Sequence, residues 1–143
     1  MKTIAFGCDH AGFVQRQTVI DHLESLGFDL IDFGTFSEDS VDYPDFAHKV
    51  ANAVTNGDAD WGVLICGSGQ GMAIAANKHQ LIRAALCWNI EVASLARSHN
   101  NANVLCLPGR MLGQVETIQI LNQFIESTFE GGRHQRRIDK IPC

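Results

Sequence analysis

The sequence has no C-x-x-C pair, no uninterrupted apolar stretch of bilayer length and no surplus of basic residues. Each absence removes a class of function. Without closely spaced cysteines, neither a zinc knuckle nor a thioredoxin-like redox site is suggested. The five cysteines, Cys8, Cys66, Cys87, Cys106 and Cys143, are an odd number, and most fall in or beside apolar runs. They are expected as reduced, buried hydrophobes, with Cys66 set apart by the glycines immediately after it. No run approaches the roughly 18 residues that cross a bilayer, so no membrane partner is expected. The opening Met1-Lys2-Thr3-Ile4-Ala5-Phe6 is too short and too soon interrupted to read as a signal peptide. Lys and Arg number 11 against 16 Asp and Glu, a net of −5, which disfavours nucleic acid. A soluble, cytoplasmic protein is the expectation.

What is present fits a single domain spanning residues 1–143, long enough for one hydrophobic core. Apolar residues make up 45% and charged ones 19%, which argues against disorder. No internal repeat or low-complexity segment appears. Short apolar runs alternate with segments of helical spacing. Strands are expected over 3–8, 28–33, 61–66, 82–88 and 103–107. Helices are expected over 13–26, 44–55, 72–78, 90–98 and 114–128. In the first helix Val14, Ile20, Leu23 and Leu26 lie near one face. Five strands alternating with five helices imply a parallel sheet covered on both sides, a doubly wound, Rossmann-like α/β three-layer sandwich.

Ligands of such sheets bind beyond the carboxyl ends of the strands. The richest of those ends is Cys66-Gly67-Ser68-Gly69-Gln70-Gly71. Alternate glycines let the backbone turn sharply and aim successive N–H groups at one point, a nest suited to a phosphate, a carboxylate or a developing oxyanion. A tight turn without a ligand is the plainer alternative. Three familiar motifs fail here. The dinucleotide pattern needs glycine where Met72 stands, the P-loop needs a following Lys, and a cysteine phosphatase needs a nearby Arg. What remains is a thiol at the mouth of an anion hole, able to serve as nucleophile or as general base.

His10, after the first strand, and His99, between the fourth helix and fifth strand, are expected near that same end. His22, His48, His79 and His134 are expected on solvated faces or in the tail. Asp9 could orient a sugar hydroxyl or a histidine, or merely cap a helix. Residues 129–143 form a basic tail in which Gly131-Gly132 breaks the preceding helix and Arg133, Arg136 and Arg137 come after it. Guanidinium forks suit a phosphate dianion, and the spacing of Arg133 and Arg137 lets them share one side of a short helix.

Taken together, several motifs resemble the type B ribose-5-phosphate isomerases. They are Gly7-Cys8-Asp9-His10-Ala11-Gly12, Asp42-Tyr43-Pro44, the Cys66 turn, Ala75-Ala76-Asn77-Lys78, His99-Asn100, Asn103-Val104 and the tail from Glu130 to Arg137. The similarity runs through nearly the whole chain, in order and with matching spacing.

That resemblance implies reversible conversion of ribose 5-phosphate and ribulose 5-phosphate, a step of the pentose phosphate pathway, without metal or cofactor. It assigns Cys66 as the base that moves a proton between C1 and C2. Backbone N–H groups of Gly67, Ser68, Gly69, Gln70 and Gly71 would hold the cis-enediolate, and the Ser68 hydroxyl would touch its oxygens. His99 would assist ring opening with Asp9 nearby. His10, Arg133, Arg137 and Arg110 would take the phosphate, and Asn100 and Tyr43 the sugar hydroxyls. It further implies a homodimer or tetramer with the site between subunits. Ser68 stands where Thr is commoner, which leaves its rotamer less fixed. Two other readings compete: an isomerase of a hexose 6-phosphate of the allose or galactose type, and a non-catalytic binder of FMN or another phosphorylated ligand.

Overall fold

The computed structural model describes residues 2–143. Its elements run β1 (Thr3–Cys8), α1 (Phe13–Ser25), β2 (Asp29–Asp32), α2 (Tyr43–Thr55), β3 (Trp61–Cys66), α3 (Gln70–Ala76), β4 (Ala84–Leu86), α4 (Ile90–Ser98), β5 (Val104–Pro108), α5 (Gln114–Glu126) and α6 (Arg133–Ile138). The five strands form one parallel sheet in the order β2-β1-β3-β5-β4. The sandwich matches expectation, with a sixth helix in the tail.

Strand order dictates the layers. The chain steps one way from β1 to β2, reverses to β3 and on to β4, then reverses again to insert β5. With right-handed crossovers each reversal moves the connecting helix to the other face. Hence α1 and α4 cover one face, joined by α5, while α2 and α3 cover the other. The side-chain period of two sorts the strands accordingly. Phe6, Val63, Ile65, Leu105 and Leu107 pack towards α1, α4 and α5. Ala5, Leu64, Cys66, Val104 and Cys106 pack towards α2 and α3. Both faces of β3 are therefore buried, which is why its six residues are apolar without alternation.

Some boundaries move for physical reasons. On α1 the buried face is Gln15, Val19, Ile20 and Leu23. Gln15 belongs to it because its amide donates to Leu112 O at 2.8 Å. Val14, one position around the helix, is 66% exposed, and Leu26 is exposed too. At the sheet edge β4 pairs only with β5, so it shortens to three residues. The Asn77 side chain covers its free edge, accepting from Ala84 N–H at 2.8 Å and donating to Ala84 O at 2.9 Å.

The turns leaving β1, β3 and β5 are pressed together. A Cβ on Gly12 would lie 2.4 Å from Ile65 O. Because that neighbour is backbone, Gly12→Ala is expected to cost about 3 kcal/mol of stability, the upper range of overpacking, measured by urea denaturation.

Burial also ranks the thiols. It pushes Cys8 up to about 11, Cys87 up to about 12 and Cys106 well above its ordinary value. A raised value keeps each sulfur protonated until the pH climbs through it. Iodoacetamide at about pH 8 should therefore spare all three in the folded protein. It should label the exposed Cys143, a pattern read by peptide mass mapping.

Candidate active site

The first reversal of strand order lies between β1 and β3, and the crevice outside such a switch point is where open α/β sheets bind ligands. Asp9 and His10 leave β1 there, and Cys66 ends β3. Asp9 N–H donates to Ile65 O at 3.1 Å, tying the two strand ends together. The Asp9 carboxylate is buried, and its Oδ1 accepts from Ala11 N–H at 2.9 Å and Gly12 N–H at 3.0 Å. One carboxylate oxygen thus holds the turn into α1. His10 Nδ1 accepts from Val41 N–H at 3.2 Å. A neutral His10 consequently carries its hydrogen on Nε2, a donor free of the backbone.

Cys66 is 5% exposed at the head of the glycine turn. Gly69 sits at φ +76°, a conformation that favours glycine, and a Cβ there would meet Leu86 at 2.3 Å. That left-handed residue ends the loop early, so α3 starts at Gln70 rather than near Met72. Ser68 is exposed, and its Oγ accepts from Gln70 N–H at 3.3 Å. This contact holds the hydroxyl in place of the methyl that threonine would supply. Two side chains flank the turn. Tyr43 lies so close to Gly71 that an added Cβ would fall 2.5 Å from its ring. The Arg110 side chain lies over Gly67, within 3.5 Å of an added Cβ, and Arg110 N–H donates to Gly67 O at 3.0 Å.

His99 does not join this group, contrary to expectation. In a parallel sheet every connecting helix runs back against the strands. The helix α4 leaves the carboxyl end of β4 and finishes at the amino end of β5, so its C-cap His99 lies at the opposite edge. Being close in sequence to a strand is not enough, because His99 precedes β5 instead of coming after it. Six residues in β3 at about 3.3 Å each make the two edges about 20 Å apart. The loop there is held by buried arginine chemistry. Arg97 donates to Asn101 Oδ1 at 3.0 Å and Ala102 O at 2.6 Å, and Arg83 donates to Asn100 O at 3.0 Å.

The tail comes to the same edge, because α5 also runs back against the strands. Gly131 (φ +68°) and Gly132 (φ +57°) turn the chain. A Cβ on either would meet nothing within 4 Å, so conformation, not space, asks for glycine here. They bring the exposed Arg133 and Arg137 of α6 to the side of His99 and Asn100. A cavity of about 550 Å³ opens beside Asn100, lined also by Asn77, Lys78, His79 and Arg83. One chain therefore carries two separate groups of candidate residues: Asp9, His10, Tyr43, the Cys66 turn and Arg110 at the carboxyl ends, and His99, Asn100, Arg133 and Arg137 at the amino ends.

His134 and Glu130 are the residues that sequence reasoning missed here. His134 is buried instead of solvated and stacks on His99, with ring centroids 4.2 Å apart and planes 15° from parallel. Glu130 reaches both rings, its Oε2 3.7 Å from His99 Nε2 and its Oε1 3.7 Å from His134 Nε2. Burial and then the neighbouring His99 and Arg133 push His134 below the ordinary histidine range, against the pull of Glu130. The three donor atoms lie within 4.8 Å of one another. Nearly parallel, stacked rings share no nearby point in both planes, so their lone pairs do not converge as a tetrahedral metal requires.

Comparison with known proteins bears on what these two groups are for. The model of the ribose/galactose isomerase family matches residues 4–141. The chain is 45% identical over 141 residues to ribose-5-phosphate isomerase B of Escherichia coli K12, covering 99% of this chain and 95% of that protein. A ribose 5-phosphate isomerase from Thermotoga maritima superposes with a TM-score of 0.96 at 50% identity, over 99% of this chain and 97% of that one. Ribose-5-phosphate isomerase B of Mycoplasma genitalium, solved with bound ribulose-5-phosphate, superposes with a TM-score of 0.93 at 47% identity, over 97% and 93%. The chain belongs to the ribose/galactose isomerase family.

Proposed function

We propose that this protein interconverts ribose 5-phosphate and ribulose 5-phosphate through a cis-enediolate, at a site built from the carboxyl-end half of one copy and the amino-end half of another. The observation that carries the reading is Cys66 at the switch point, at the head of the glycine turn and flanked by Tyr43 and Arg110. The family relationship and the ribulose-5-phosphate bound to the Mycoplasma genitalium relative support it.

Moving a proton between C1 and C2 next to a carbonyl requires a base and a trap for the charge that develops on oxygen. The Cys66 thiolate takes the C2 proton of the open-chain aldose and returns it to C1, while the O2 hydroxyl hydrogen passes to O1 within the enediolate, so that the ketose forms with no net gain or loss of protons. N–H groups within residues 67–71, apart from that of Gln70, which is turned to Ser68 Oγ, and the Ser68 hydroxyl face the enediolate oxygens. Because Ser68 Oγ already accepts from Gln70 N–H, its own hydrogen is free to donate. His99 assists opening of the furanose, which must precede proton abstraction. Tyr43 and Asn100 contact sugar hydroxyls. His10 Nε2 and Arg110 from one copy, with Arg133 and Arg137 from the other, grip the phosphate, whose binding energy positions the reacting carbon. The tail, residues 129–143, is the segment that reaches the neighbouring subunit.

Cys66→Ala tests the base. With ribose 5-phosphate as substrate, kcat should fall at least about 100-fold, the scale of general acid–base catalysis, while circular dichroism stays unchanged. Full activity in this variant would remove Cys66 from the mechanism, and wild-type protein inert towards pentose 5-phosphates would remove the function.

Mixing two inactive variants tests the assembly. In a heterodimer of Arg137→Ala and Cys66→Ala chains, one composite site carries both lesions and the other is intact. Activity should therefore reappear on mixing. No recovery, despite subunit exchange verified by native mass spectrometry, would place both residues in one subunit's site.

A further inference from the structure

We infer that His134 is a positioning residue for the ring-opening histidine, acting as a flat plate that fixes the plane of the His99 imidazole. The inference rests on the assignment of ring opening to His99.

Four observations converge on it. His134 is buried in a tail whose polar neighbours Arg133, Gln135, Arg136 and Arg137 are all exposed. Its Nε2 is buried without a hydrogen-bond partner among the described residues, so a polar role through that atom is unmet. Its ring instead lies flat on His99, at 4.2 Å and 15°. Finally, Glu130 ties the two pieces of chain together. Its N–H donates to Ser98 O at 3.0 Å, closing the end of α4, and its carboxylate stands 3.7 Å from each ring.

His99 needs such help because of where it sits. As the C-cap of α4 it is partly exposed, and an imidazole with that much exposure has more than one staggered rotamer open to it. Transfer of a proton to the furanose ring oxygen demands one orientation, and small misplacements are costly. A buried aromatic plate on one side, with a carboxylate at the Nε2 edge, removes most of that freedom. The Gly131-Gly132 turn is what lets the tail deliver the plate. Arg133 and Arg137 ride on the same short helix, so one segment both orients the ring-opening group and presents the phosphate clamp.

The test uses His134→Ala and His134→Phe in the full chain, with two readouts. With ribose 5-phosphate, His134→Ala should lower kcat about tenfold while KM changes little, because the lesion is in orientation and not in phosphate binding. His134→Phe keeps a plate of the same plane and should restore kcat to near the wild-type value. Independently of activity, the His99 ring protons should show an upfield ring-current shift in proton NMR of the wild type and the Phe variant, lost in the Ala variant. A rise in KM with kcat intact would mean that the tail had merely loosened its arginines, and it would overturn the inference. So would a Phe variant as slow as the Ala variant, or a wild-type His99 without the ring-current shift. A wild-type chain inactive on pentose phosphates would instead defeat the functional reading, while the NMR comparison still decides whether the plate exists.

Discussion

Every connecting helix in this molecule must return against the strands, since all five strands are parallel. Residues that come after a strand are thereby collected at one edge of the sheet, and residues that precede a strand at the other. That single constraint sorts the reactive side chains more strongly than any local preference. It gathers Asp9, His10, Cys66 and Arg110 within the packed turns after β1, β3 and β5. It sends His99, Asn100 and the arginines of α6 to the far edge. The crowding of Gly12 against Ile65 and the left-handed turn at Gly69 then set how closely the first group can assemble.

Much of the carboxyl-end half was legible in the amino-acid sequence, because its signals are local. A fully apolar run that stops at Cys66 and meets alternating glycines announces a buried strand and a tight turn together. Tyr43 of Asp42-Tyr43-Pro44, singled out in the sequence only through the family resemblance, lies against Gly71 of that turn. Departures arose wherever a tertiary contact outweighed local pattern. Gln15 displaced Val14 from the core face through its bond to Leu112, and the one-sided pairing of β4 trimmed the expected strand from both ends.

The amino-end half was harder to read for a different reason. His99 comes after a helix and before a strand, and periodicity says nothing about which edge that is unless the direction of each element is traced. From sequence alone, the place of His134 in the tail points to a solvated face. What buries it is the long-range return of the tail onto α4, made possible by two glycines at positive φ and secured by the Glu130 N–H. Only the Glu130 and His134 spacing around Gly131-Gly132 hinted at it. A pattern that straddles a turn carries no helical meaning, so its significance emerges only in three dimensions.

The division into half-sites has an energetic consequence within the proposed reading. A phosphate dianion held by one copy alone would meet His10 and Arg110 at one edge, or Arg133 and Arg137 at the other. Only a pair of copies brings all four donors to it. Substrate binding and subunit association then become linked equilibria: ligand that binds the pair better than the single chain stabilises the pair by the same factor. The tail sits at the centre of that linkage. Its glycine turn, the Glu130 anchor and the stacked His134 hold α6 against its own subunit, so the arginines are ordered before a neighbour arrives. Preorganisation of this kind removes an entropy cost from the encounter, and it explains why a short helix of six residues, too short to persist alone, is tied to the body of the fold at its first turn.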